Sequence, residues 1–249
     1  MNTVSRLGLT LLLGAVSAFA TAAPVSPDFT FFGPLPQATY GGSGIPNNPS
    51  AVTIREGFLL GLTAHQRFSG PNLGNDGTGN FFAKPGTTTS PTGLQGSTWN
   101  VGYYIHVDQD SIADSGLNFK LFYDFDAGAN TDESQLGVLD LSAIFPFGAG
   151  GSAADVKQDS QNLLFGYLAA PSFFVTPPPG GASFNPNAKG QYSFVLAAYN
   201  GQGDELGRSA INVQVNDAPA SDVPEPGIFA LMGLGAAGLA AARRRKKQA

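Results

Sequence analysis

Apolar residues in this chain recur at a period of two wherever they are dense, the pattern of strands with one buried face. From Thr98 to Asp108, Trp99, Val101, Tyr103, Ile105 and Val107 fall on one side, with Asn100, Gly102, Tyr104, His106 and Asp108 on the other. From Leu117 to Asp126, Leu117, Phe119, Leu121, Tyr123 and Phe125 alternate with Asn118, Lys120 and Asp124. The link Gln109 to Gly116 is polar and turn-rich, so the two runs are expected to pair antiparallel. Tyr192, Phe194, Leu196 and Ala198 alternate next, and Asn200-Gly201-Gln202-Gly203-Asp204 turns the chain. Ile211, Val213 and Val215 then return, which predicts a hairpin.

Further strands are expected at Phe29 to Phe32, Ala51 to Ile54, Gly57 to Thr63, Leu136 to Leu141 and Asn162 to Ala169. The stretches Pro34 to Pro49, Gly70 to Gly96 and Thr176 to Lys189 are rich in Gly, Pro, Asn, Ser and Thr and read as loops. No helical period stands out before residue 223. Short strands with one apolar face each and no helices to cover a parallel sheet predict an all-β fold, an antiparallel two-sheet β-sandwich. Immunoglobulin-like and jelly-roll topologies fit equally well.

The two ends follow a different pattern. Arg6 precedes an apolar stretch from Leu7 to Val16, then small residues Ala18, Ala20, Ala22 and Ala23. This is the order of a signal peptide cut by signal peptidase, and it assigns 1–22 to export. Residues 23–222 are then the ectodomain. At the other end, Val223-Pro224-Glu225-Pro226 precedes sixteen apolar residues from Gly227 to Ala242, followed by Arg243, Arg244, Arg245, Lys246 and Lys247. Sixteen residues in a helix reach roughly 24 Å, against about 30 Å for a hydrocarbon core. Snorkelling Arg side chains and local bilayer thinning close that gap. The basic cluster 243–247 acts as a cytoplasmic stop for a transmembrane helix over 227–242.

The ordered set of Val223-Pro224-Glu225-Pro226, apolar run and basic cluster resembles the PEP-CTERM sorting signal of Gram-negative bacteria. The resemblance covers 223–249, about a tenth of the chain. It implies recognition by an exosortase at the membrane and delivery to the cell surface or the extracellular polysaccharide matrix. Ectodomains that share this signal are diverse, so the resemblance leaves 23–222 open.

Charge narrows the partners. Six of the 13 basic residues lie in the two terminal segments, but only one of the 18 acidic residues does, so the ectodomain carries seven against seventeen. A body near −10 has no Lys/Arg cluster with which to displace counterions, which excludes nucleic acid. The chain has no cysteine, which excludes thiol nucleophiles, Cys-zinc sites and iron–sulfur centres. His65 and His106 are its two histidines and read as polar surface residues; no Gly-x-Ser-x-Gly elbow accompanies them.

The one local constellation with metal chemistry in it runs from Asp124 to Glu133. Asp124, Asp126, Asn130 and Asp132 place oxygens at intervals around Gly128, as calcium requires. The spacing departs from an EF-hand loop, and an acidic solvated turn after a strand is the competing reading. Asp108 with Asp110, and Asp124 with Asp126, are the carboxylate pairs a glycosidase would need. Tyr104 and Phe122 fall on the polar faces of their strands, where they either stack on a sugar ring or pack under a long loop. Trp99 belongs to the inward set. The expected protein is not an enzyme. It is a surface or matrix protein with a structural or adhesive role, needing no cofactor, with a carbohydrate-binding module as the alternative and extracellular polysaccharide as the candidate partner.

Overall fold

The computed structural model describes residues 24–35, 37–38, 44–68, 73–108, 116–145 and 156–217. The expected signal peptide 1–22, the sorting residues 223–226, the apolar segment 227–242 and the basic cluster 243–247 lie outside them. Among the described residues no helix is long and apolar enough to cross a membrane.

In chain order the first strands are β1 (Phe31–Gly33), β2 (Ser50–Arg55), β3 (Phe58–Gln66), β4 (Gly74–Asn75), β5 (Asn80–Ala83), β6 (Thr87–Thr89) and β7 (Gln95–Ser97). Then come β8 (Trp99–Val107), β9 (Asn118–Tyr123), β10 (Gly137–Asp140), β11 (Val156–Gln161), β12 (Val175–Thr176), β13 (Gly190–Tyr199) and β14 (Glu205–Val215). One short helix, α1 (Leu141–Ile144), follows β10; the Asp140 carboxylate caps it by accepting from the Ala143 N–H at 3.0 Å. The first sheet has the order β1-β2-β3-β8-β11 and the second β12-β10-β9-β13-β14-β5-β4, with β6 and β7 as a separate pair.

The inward faces of the two large sheets meet in one core. The first contributes Leu60, Leu62, Trp99, Val101, Tyr103 and Ile105; the second contributes Phe119, Leu121, Tyr123, Phe194, Ile211 and Val213. Trp99 is the hub, with the rings of Phe184, Tyr192 and Phe194 centred 6.0, 5.8 and 6.0 Å away. Each such side chain removed from water contributes about 2 kcal/mol, and tilted ring pairs add to that. The Tyr123 hydroxyl would be costly in this layer if unpaired; it donates to the Leu168 carbonyl at 2.5 Å.

Two smaller apolar clusters cover the outer faces. Leu35, Ala38, Ile45, Val52 and Tyr104 lie on the first sheet. Val25, Leu136, Val195, Ala197 and Ala210 lie on the second, with Phe122 and Tyr199 against them. Tyr104 and Phe122 therefore both pack under chain, on the outer faces of different sheets, and do not combine into a stacking platform.

The predicted hairpin over 192–215 forms as β13–β14, and Trp99 takes the expected inward position. Other expectations are corrected. The runs 98–108 and 117–126 do not pair: β8 sits between β3 and β11, while β9 sits between β10 and β13 in the other sheet. A long polar link permits a crossing between sheets as readily as a hairpin, and alternation alone does not distinguish them. Asn162 to Ala169 is a turn and a 3-10 helix (Gly166–Ala169), not a strand. The strand is the more polar β11 just before it. The stretch 70–96, read as loop, contains β5, whose Phe81 is fully buried. That strand runs parallel to β14, so the second sheet is mixed and not wholly antiparallel.

Gly190 opens β13 at φ 149°, with an ideal Cβ 1.8 Å from the Ala127 carbonyl oxygen. The next residue, Gln191, donates its N–H to that same oxygen at 3.1 Å. Gly190→Ala is expected to cost about 3 kcal/mol or more by urea unfolding, through backbone strain plus displacement of this contact. Gly77→Ala, at φ 75° with nothing within 4 Å of its Cβ, should cost only about 1 kcal/mol. Equal losses at the two positions would refute the steric account.

Candidate functional site

Asp124, at the end of β9, is buried. Its Oδ1 accepts the Asp126 N–H at 2.8 Å and its Oδ2 the Ser193 N–H at 3.3 Å. It therefore fastens the strand end to β13. Desolvation raises its carboxyl to about 6, aided by the nearby Asp126 charge and opposed by hydrogen bonds from the Asp126 and Ser193 amides and the Thr131 side chain. Asp126 is exposed, and its Oδ1 accepts the Gly128 N–H at 2.9 Å. Asn130 is exposed at φ 72°, a left-handed geometry that Asn tolerates. Asp132 starts the 3-10 helix Glu133–Gln135, its N–H donating to Gln135 Oε1 at 3.4 Å. The Asp124 carboxylate points in, the Asp126 carboxylate bonds within the turn, and Asn130 supplies its left-handed backbone position. Among the described residues no group of three or more His, Cys, Asp or Glu is placed to hold a metal.

His65 is not a surface residue. It is buried on the outer face of β3, with Nδ1 3.0 Å from the Gln66 carbonyl and Nε2 2.9 Å from Ser160 Oγ. Nδ1 facing a carbonyl requires the proton there, which leaves Nε2 to accept from the serine hydroxyl. Burial holds the ring below its ordinary pKa. His106 is half-buried, with Nδ1 3.8 Å from Asp108 Oδ1. Asp110 lies outside the described residues.

The feature that sequence reasoning missed is Arg67, just beyond the end of β3. It is 8% exposed, and its Nε and Nη1 have no hydrogen-bond partner among the described residues. Its guanidinium carbon lies 4.5 Å from the centre of the Phe68 ring and 5.2 Å from that of Phe165. A Cβ at Gly96 would fall 2.4 Å from that carbon and 2.6 Å from Nε and Nη1, so any larger residue there would displace the guanidinium from this position. Phe68 is held at φ 65°, a strained backbone for a bulky side chain. The loss of solvation pulls the guanidinium below its usual value, yet an arginine remains charged.

Asn162 builds this setting. Fully buried, it donates from Nδ2 to the Trp99 carbonyl at 2.9 Å and to Asn100 Oδ1 at 2.6 Å, and its Oδ1 accepts the Ser97 N–H at 3.0 Å. The same Oδ1 accepts the Leu164 N–H at 3.2 Å. One side chain thus ties the strand carrying Gly96 to the turn carrying Phe165. Arg67 lines a cavity of ≈ 390 Å³ with Gln66, Leu73, Phe82, Lys84 and Thr98. An isolated cation in the run Gln66-Arg67-Phe68 gave no sequence signal, because its cage is assembled from 96 and 165.

Residues 222–246 match the family model of the PEP-CTERM protein-sorting motif. No curated protein matches the chain. Among solved structures, the CooA pilin subunit from enterotoxigenic Escherichia coli is 16% identical, over 64% of this chain and 99% of the pilin, with a TM-score of 0.21. A likeness that loose carries no argument about fold or role.

The Asp124 carboxyl sits higher in the folded protein, at about 6, than its unfolded value of about 3.9. The folded state therefore takes up this proton first as pH falls. The stabilisation is complete below about pH 4 and is lost as pH rises through 6. Relative to wild type, Asp124→Asn should gain up to about 3 kcal/mol in unfolding free energy between pH 4 and pH 7. His65 acts in the opposite sense, costing stability as pH drops below about 6.5, but it is common to both proteins and cancels. Urea titrations at pH 4, 5.5 and 7 measure the difference; a constant offset would contradict the assignment.

Proposed function

We propose, from the premise that a PEP-CTERM motif marks an exported, membrane-anchored protein processed by an exosortase, that this chain is a cell-surface or matrix protein with a structural or adhesive role. The observation that carries the reading is the motif at 222–246. Signal peptidase removes 1–22, and the helix 227–242 with its basic stop 243–247 holds the chain in the membrane until the exosortase acts. The part presented outside is a two-sheet β-sandwich of acidic character, suited to dispersal among extracellular polymers. A body without cysteine keeps its fold whatever the redox state outside the cell.

A second reading, that the body is a carbohydrate-binding module, is favoured by one observation: the Arg67 cavity. Polar and apolar wall residues with a few charged groups, here Arg67 and Lys84, are the composition of a small-ligand site. The two readings are compatible, since adhesion to a polymer matrix requires contacts with that polymer.

Expression in a Gram-negative host that carries an exosortase tests the sorting. Wild-type protein should reach the surface or matrix fraction shortened at its C-terminus. The Pro224→Ala/Glu225→Ala/Pro226→Ala variant should remain in the membrane fraction with its tail, and a chain ending at residue 221 should appear in the soluble exported fraction. Unprocessed wild-type chain dissolved in the cytosol would overturn the proposal.

A further inference from the structure

Arg67 is a charged side chain set into the body with no carboxylate of the described residues paired to it. A guanidinium taken out of water costs several kcal/mol unless it is paired, and buried polar groups without partners are rare. Other enclosed charges among the described residues are paired or hydrogen-bonded, the half-buried Arg208 and the buried Asp124 among them. Arg208 meets Glu133 at 2.6 Å and also pairs with Glu205, and Asp124 accepts two backbone amides. Among the described residues Arg67 Nε and Nη1 have no hydrogen-bond partner and no ion pair reaches the group, although the chain carries an excess of carboxylates. Its position is nonetheless fixed from three sides: Phe68, Phe165 and the bare backbone of Gly96. A cation immobilised in advance and left unpaired is arranged for a ligand that supplies the anion.

The cavity indicates which anion. A second cation, Lys84, stands on its wall and is exposed. Two cations match a carboxylate, which a planar guanidinium holds through two parallel hydrogen bonds. A phosphate fits the same fork, so the walls around the two cations decide between them. Leu73 and Phe82 offer apolar surface, while Gln66 and Thr98 carry an amide and a hydroxyl. That alternation suits a pyranose ring, whose faces are apolar and whose rim is hydroxylated. A cavity of ≈ 390 Å³ has room for one ring and the start of a second.

We infer that the Arg67 cavity binds the carboxylate of a sugar acid, presented as a uronate unit of an acidic glycan. The carboxylate contact stands on the geometry alone. The choice of a glycan over a free sugar acid rests on the surface location proposed above. Binding to purified protein is measured without reference to sorting, so failure of one idea leaves the other standing.

The test is calorimetric titration of the purified full chain in detergent with trigalacturonate, its neutral counterpart trigalactose, free glucuronate and inorganic phosphate. Trigalacturonate should bind at least tenfold more tightly than trigalactose, and several-fold more tightly than free glucuronate. Arg67→Met should abolish the acidic preference. In the absence of ligand it should melt at or above the wild-type temperature, since it removes an uncompensated cation; a merely structural arginine would instead lower it. Gly96→Ala, which drives a methyl into the guanidinium, should weaken binding tenfold or more. Lys84→Ala alters an exposed side chain and carries the test even if the buried variants fail to fold, with an expected loss of two- to fivefold. Equal affinity for acidic and neutral sugars, no binding, unchanged affinity in Lys84→Ala, or phosphate binding as tightly as trigalacturonate would each overturn the carboxylate assignment. Glucuronate binding more tightly than the trisaccharide would overturn the glycan source.

Discussion

With no cysteine available as a cross-link, the described body depends on contact between two sheets through a layer rich in aromatic rings, at whose centre Trp99 meets Phe184, Tyr192 and Phe194. Hydrophobic contact is non-directional, but rings of this size pack against one another only in a few arrangements. The layer therefore supplies cohesion and also fixes how the sheets sit together. Two hydroxyls that it encloses are satisfied by nearby backbone, Tyr123 at the Leu168 carbonyl and Tyr192 at the Ala188 carbonyl.

Around that layer, single side chains fasten segments that the sheets do not pair. Asp124 holds the end of β9 to the start of β13, and Asn162 gathers the approach to Trp99 and the turn after β11. Both are buried polar groups with several partners, an arrangement that specifies one geometry because every alternative leaves a donor or acceptor stranded. The cage around Arg67 inherits its shape from the second of these fasteners. Structure and candidate function thus meet at Asn162, although it lies outside the cavity itself.

How far the sequence was legible depends on the range of the information. The hairpin β13–β14 was plain because its alternation and its Asn-Gly-rich turn are adjacent in the chain. The inward set of β8 was legible for the same reason. Which strand lies beside β8 was not, since Gln109 to Gly116 serves a hairpin or a crossing equally. Asn162 to Ala169 is apolar enough to resemble a strand, but the Asn162 side chain accepts from Leu164 and turns the backbone away. The spacing of Asp124, Asp126, Asn130 and Asp132 showed where oxygens recur but not that Asp124 is buried, which depends on Ser193 far along the chain. His65 and Arg67 were misjudged or missed because their surroundings come from residues about 30 to 100 positions away.

The ends of the sheets have a further bearing on life at high local density. Both outermost strands of the larger sheet, β12 and β4, contain only two residues. On the smaller sheet β1 has three, and β11 carries Lys157 and Asp159 along its length. A border of that kind gives a neighbouring molecule little ladder on which to zip, and charge discourages what remains. At high local density such borders keep neighbouring copies from fusing into continuous cross-chain sheet and leave side chains as the means of contact.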